Sequence, residues 1–154
     1  MHDIIRPYSR IDINKEFIKV KKKLHDEAVI RGVELDGRPV SYFEDVYTGS
    51  IFRGGEKYEY EHIRSAENLH SEYKNIHTDK EIALIVNHRN NIGVTSLEIN
   101  RFKDKYRIED RILNDDDLIR KFQIDVFLTK RNVSKADTSI NEMSLQILRD
   151  RRND

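Results

Sequence analysis

A hydroxyl residue stands three positions before a glutamate in Thr78-Asp79-Lys80-Glu81, Thr95-Ser96-Leu97-Glu98 and Ser139-Ile140-Asn141-Glu142. In such a capping box the hydroxyl accepts an orphan amide proton of the first turn while the glutamate reaches back to the cap amide, so each box predicts a helix start. The first precedes the apolar run Ile82 to Val86. The second opens a helix carrying Asn100 and Lys103 on nearly one face. The third begins a final amphipathic helix through Met143, Ile147 and Leu148, with Arg149 to Asp154 fraying at its end.

The rest of the chain is read around these starts. Phe17, Val20, Leu24 and Ala28 draw one stripe along a helix over residues 14–31, and Gly32 stands where a C-terminal cap belongs. Lys15, Lys19, Lys21, Lys22 and Lys23 occupy its other faces, a pattern that is more often a solvated surface than a phosphate contact. From Asp36 to Gly55, glycine and proline interrupt short apolar pieces at Val40 to Val46 and Ile51-Phe52, which fits turns and short strands. Lys57 to Ile63 alternates aromatic and charged residues and predicts a strand ending around His62. Residues 65–88 carry two helix signals. Beyond Arg107, Glu109, Asp110 and Asp115 to Asp117 open a further helix toward Phe122, and Ile124 to Leu128 reads as a strand, although so short a run does not separate strand from helix by period.

This pattern predicts one α+β domain over 1–154. It has an N-terminal helical arm at about 10–34, a core at about 42–106 with a helical insertion at about 65–88, and a C-terminal extension at about 107–151. Charged residues make up 36% of the chain and hydrophobic ones 37%, so the core is modest and the polar faces extensive. Lysine plus arginine balance aspartate plus glutamate at 28 each, and only local clustering decides whether nucleic acid is a partner. The absence of cysteine excludes disulfides, thiolate zinc sites and cysteine nucleophiles. The first residues lack the apolar core of a signal peptide and no run is long and apolar enough for a bilayer, so the expectation is a cytoplasmic protein without a membrane partner.

Chemistry concentrates in Tyr60-Glu61-His62-Ile63 and in the stretch from Asn91 to Lys103. Phosphodiester hydrolysis needs an activated water, a counter-charge for the transition state and help for the departing oxygen. A neutral imidazole at His62 suits the first task. Glu61 and Asn100 offer the oxygen ligands that Mg²⁺ or Mn²⁺ prefers. In a regular strand Glu61 and His62 point to opposite faces, which serves a metal and an attacking water lying on different sides of the phosphorus.

These residues, from about Tyr42 to Tyr106, resemble the HNH nuclease family, whose ββα-metal motif is a hairpin followed by a helix, as in the HNH domains of restriction enzymes and CRISPR effector nucleases. Tyr47-Thr48-Gly49 looks like the opening turn, Glu61-His62-Ile63 like the acidic-histidine pair ending the first strand, and Asn91 through Lys103 like the second strand and helix. The resemblance implies a DNA endonuclease with His62 as general base, Glu61 and Asn100 as ligands of a divalent metal, and Asn91 fixing the loop and orienting the His62 ring. It also implies phosphate contacts by Arg101, Lys103 and Lys105, a role in restriction or phage defence, and room for a homodimer or larger assembly. Glu61 stands where aspartate is commoner, the segment between His62 and Asn91 is longer than in minimal members, and no structural zinc is expected, so Tyr42, Phe43, Tyr47 and Phe52 must replace that staple by packing.

Other readings stay open. His88, in Val86-Asn87-His88, is a rival base or ligand that more simply ends a helix, and His70 and His77 would share a face only if their helix were continuous. A non-catalytic nucleic-acid-binding module of the same shape, or a protein-interaction component built on the polar helices, would use the same sequence differently.

Overall fold

The structure, a computed structural model, describes residues 6–153. Residues 1–5, on which the signal-peptide expectation falls, and Asp154 of the expected frayed tail lie outside the described residues. The elements run α1 (Ile11–Asp36), β1 (Tyr42–Glu44), β2 (Ile51–Arg53), β3 (Glu59–His62), α2 (Ala66–Tyr73), α3 (Asp79–Val86), β4 (Ile92–Thr95), α4 (Leu97–Lys103), α5 (Asp116–Lys121) and α6 (Val126–Arg152). A 3-10 turn at Arg89–Asn91 leads into β4, and a π-helical turn at Glu109–Leu113 precedes α5. The architecture is mixed α+β, and no helix among the described residues is long and apolar enough to cross a membrane.

Two small antiparallel sheets carry the strands. β1 pairs with β2 in the register Phe43↔Phe52, and β3 pairs with β4 in the register Glu61↔Gly93 and His62↔Ile92. The β1–β2 connection docks on the second sheet through Val46, whose amide donates to the Val94 carbonyl at 2.9 Å. Buried Asp45 holds that connection, accepting from the Tyr47 amide at 2.8 Å and from the Thr95 hydroxyl at 3.0 Å. Glycine is required at position 93 because a Cβ there would lie 2.8 Å from Val46.

Apolar burial falls into three clusters. Ile13, Leu69, Tyr73, Ile82, Ile85, Val86 and Ile140 join α1, α2, α3 and α6. Tyr47, Ile63, Ile99, Ile108, Ile112, Phe122, Ile124 and Val133 pack α4, the π turn and α5 against α6. Ala28, Phe43 and Val94, with Phe52, Tyr58 and Tyr60 around them, seat the first hairpin on α1, so aromatic packing fills the place beneath the strands.

Five sequence expectations change. The first helix runs past Gly32 to a left-handed cap at Gly37 (φ 70°), whose amide donates to the Val33 carbonyl. Gly32 is instead a contact point inside the helix: a Cβ would sit 1.7 Å from the Val40 carbonyl oxygen, so only glycine lets the following segment cross there. The Thr78 box forms as expected, with hydroxyl and glutamate both engaged. The Thr95 box does not, because Ser96 is the cap and Thr95 ends β4 with its hydroxyl on Asp45. The Ser139 box and the strand over Ile124 to Leu128 give way to one continuous α6, capped by Asp125, which accepts from the Leu128 amide at 2.9 Å. Ser139 lies buried inside it with its hydroxyl accepting from Asn90. No glycine or proline interrupts residues 126–152, so nothing stops the helix there, and it continues through Arg152 rather than fraying from Arg149.

Arg64, just beyond β3, clamps the two halves of the helical layer. Its guanidinium makes bidentate pairs with Glu109 (2.8 and 2.9 Å) and Asp137 (2.8 and 2.9 Å) while itself only 8% exposed. Burial opposes ionisation of Glu109, but Arg64 and Arg107 override it and hold the carboxyl down at about 2. A carboxylate whose folded pKa lies below its unfolded 4.5 adds stability that is full above that pH and is lost as pH falls toward 2. Acid unfolding curves for wild type and Glu109→Gln are therefore expected to converge as pH drops from about 4.5 to 2, the variant's deficit being full above that window and gone at its lower end. In urea titrations, Gly32→Ala is expected to cost roughly 1–3 kcal/mol or more, exceeding Gly37→Ala, which meets no neighbour and costs about 1 kcal/mol through its positive φ.

Candidate active site

β3 is paired on one side only, and along its other edge runs a cleft of about 540 Å³. Tyr60, Glu61 and His62 border it from the strand, Asn100 and Arg101 from α4, Asp104 and Lys105 from the turn after it, Tyr8, Arg10 and Phe17 from the N-terminal segment, and Ser65, Ala66 and Glu67 from the start of α2. The alternation of the strand divides the labour: Glu59 and Glu61 reach toward the α4 side, while His62 turns to α1.

His62 is 9% exposed, with its ring centroid 4.3 Å from that of Phe17 and its Nε2 2.8 Å from Asn87 Oδ1. Burial pulls its pKa down to about 4; Arg10 and Lys103 push the same way and the Asn87 bond opposes them. The ring is therefore neutral near pH 7, and the same burial weakens its basicity.

Glu61 is equally enclosed. The Tyr47 hydroxyl donates to its Oε1, and its Oε2 lies 3.7 Å from Lys103 Nζ without a hydrogen bond. Burial pushes the Glu61 pKa up while Lys103 and Tyr47 restrain it, and burial together with the Glu61 charge drives the Tyr47 hydroxyl well above its ordinary value. Asn100 donates its amide to the Glu59 carboxylate, leaving its side-chain oxygen without a partner among the described residues. Glu61 Oε2 and the Asn100 side-chain oxygen, both without a hydrogen-bond donor, are the hard donors that Mg²⁺ or Mn²⁺ would use here; the two residues border one cleft, and Glu61 Oε2 is sealed from solvent beside Lys103. No cluster of three or more histidine, cysteine or carboxylate residues is arranged to hold a metal among the described residues, so such an ion would depend on the amide oxygen and on water.

Other expected site residues take different positions. Lys103 is fully buried, and its ammonium donates to the His62 carbonyl at 3.2 Å beside Glu61, so it is an internal strut rather than a phosphate contact. Its helical position brings it onto the strand because α4 packs its buried face there. Arg101 and Lys105 do reach the cleft as exposed side chains, loosely paired with Glu59 at 3.7 Å and Glu67 at 3.5 Å. Asn91 is buried away from the cleft. Its Oδ1 accepts from the Arg64 amide at 2.7 Å and its Nδ2 donates to the Arg64 and Val86 carbonyls, which fixes the loop. The His62 ring is oriented by Asn87 instead.

His88 caps the 3-10 turn, its Nδ1 accepting from the Asn90 amide at 3.1 Å. His70 and His77 do not share a continuous helix, since the chain breaks between α2 and α3, and His77 Nε2 pairs with the Ser144 hydroxyl at 2.7 Å. Sequence reasoning missed Arg10, Phe17 and Asn87, and treated Tyr47 only as packing. Asn87 carried a signal in the Val86-Asn87-His88 pair, but attention went to the histidine; Arg10 and Phe17 carried none, because only the return of α1 across β3 brings them near. No protein-family model, curated protein or solved structure matches the chain.

The buried Lys103–Glu61 pair has a measurable consequence. Lys103→Met leaves a buried carboxylate without its counter-charge and is expected to cost roughly 3–5 kcal/mol. Adding Glu61→Gln should recover much of that loss, and a double-mutant cycle by chemical denaturation reads the coupling.

Proposed function

We propose that this chain is a metal-dependent endonuclease of the HNH type, hydrolysing DNA phosphodiester bonds. The observation that carries the reading is that His62, Glu61 and Asn100 border one cleft although the whole α2–α3 insertion separates the first two from the third. Cations on the same cleft support it, standing beside Glu67 and Asp104: Arg10 has no carboxylate partner among the described residues, bonding only Asn14 and Tyr8, and Arg101 and Lys105 are exposed.

In this reading Glu61 and Asn100 would hold a divalent cation by their side-chain oxygens, and that ion would supply Lewis-acid stabilisation of the phosphate charge. His62, neutral because it is desolvated, takes a proton from the water that attacks phosphorus, the P–O3′ bond breaks, and the departing 3′ oxygen takes a proton from solvent. Phe17 covers one side of the ring and excludes bulk solvent from it. Arg10, Arg101 and Lys105 hold the backbone phosphates and set the register of the strand. One cleft cuts one strand, so a double-strand break calls for paired copies or two events.

A second reading rests on the enclosure of Glu61, whose carboxylate is already served by Tyr47 and Lys103. A chain with that arrangement locked would bind nucleic acid without cutting it.

Incubation of supercoiled plasmid with Mg²⁺ or Mn²⁺ separates the two. Metal-dependent nicking is expected from wild type, and His62→Ala should reduce it by about 10²–10⁴-fold while leaving DNA affinity in place. Binding with no nicking in either metal overturns the nuclease reading in favour of the module. Arg101→Ala should weaken binding to all sequences alike and lower the salt slope of the affinity by about one.

A further inference from the structure

Asn87, the cap residue of α3, is 3% exposed and has every polar atom of its side chain engaged. Its Nδ2 donates twice, to the Ile13 carbonyl of α1 at 3.0 Å and to the Ala83 carbonyl one turn back in α3 at 2.9 Å. Both of those partners are backbone oxygens, which only accept, so the amide cannot be turned over without setting its own oxygen against two others. The oxygen that remains, Oδ1, faces His62 Nε2 at 2.8 Å and has only acceptor capacity. The ring nitrogen opposite it must therefore carry the proton.

We infer that Asn87 is the positioning residue of the site: its amide fixes the His62 ring with Nε2–H toward its own oxygen and leaves Nδ1 toward the cleft. Nδ1 has no protein partner among the described residues and is not among the side-chain atoms sealed from solvent without one, while the ring as a whole borders the cleft. The same amide ties the lock to α1, because the Ile13 carbonyl consumes one of its donors and Phe17, one helical turn further on, lies against the ring it orients. The N-terminal helix is thus part of the device that holds the base rather than an appended arm. This inference rests on the nuclease reading for its chemical purpose, but the tautomer lock is a property of the free protein.

Long-range ¹H–¹⁵N correlation spectra of the ¹⁵N-labelled full chain at neutral pH, without metal or DNA, identify which ring nitrogen of each histidine bears the proton. The expected result for His62 is a single tautomer with a pyrrole-type Nε2 and a pyridine-type Nδ1. A proton on Nδ1, or fast exchange between both forms, overturns the inference. Asn87→Ala should release the ring into a mixture of tautomers and lower kcat for plasmid nicking by about 10–100-fold with KM little changed. A folded Asn87→Ala that keeps a pure Nε2–H ring overturns the lock; should that variant not fold, the wild-type spectrum decides. An Nε2–H ring in a protein that nicks nothing supports the lock and sinks the nuclease reading, whereas nicking by a protein with an Nδ1–H ring does the reverse.

Discussion

A single ammonium joins the elements on which the site stands. Lys103, at the last turn of α4, is sealed from solvent with its Nζ on the His62 carbonyl and beside the Glu61 carboxylate, so the helix can dock on β3 only where that charge finds both groups. A buried charge tolerates little displacement, because losing either partner leaves an uncompensated ion in a poorly polarisable interior. The Tyr47 hydroxyl on the other oxygen of Glu61 extends the constraint to the first hairpin's connection, which Asp45 and Val46 already fasten to β4. Strand, helix and hairpin are thus held in register by polar groups that have no freedom to choose other partners.

That polar frame explains how so small a sheet can support a cleft. Two pairs of short strands bury little on their own, and apolar packing is divided among three clusters rather than gathered in one. What fixes the geometry between clusters is directional: the Arg64 clamp on Glu109 and Asp137, Asn91 on three groups of its neighbours' backbone, and Asn87 between α1 and His62. Each of these side chains is buried or nearly so, and each links segments far apart in sequence, which is the use of buried polar residues that confers a unique arrangement rather than raw stability.

The local elements were legible where the signal was local. The strand through Glu61 and His62, the capping box at Thr78, the interrupted helical pair between His62 and Asn91 and the short strands around Phe43 and Phe52 all follow from spacing and side-chain chemistry within a few residues. Boundaries failed where the deciding contact was distant. Gly32 reads as a helix stop until the Val40 carbonyl is seen pressed against it, Thr95 reads as a cap until its hydroxyl is found on Asp45, and Ser139 reads as a helix start although it merely faces Asn90 from inside a longer helix. A hydroxyl three residues before a glutamate signals a start only where the chain before it has left the helix.

The same division runs through the site. From the sequence alone came the types of group and their order: a histidine at a strand end, a carboxylate beside it, an amide on the following helix with cations around it. Which of those groups meet water and which are consumed inside was decided only by the tertiary structure. Lys103 and Arg101 sit two residues apart on one helix, yet one is sealed against β3 and the other stands in solvent, and Asn87 rather than Asn91 faces the imidazole. The physical reason is that local sequence sets backbone conformation and the face a side chain points from, whereas exposure, protonation and hydrogen-bond partners depend on what returns from elsewhere in the chain to cover that face.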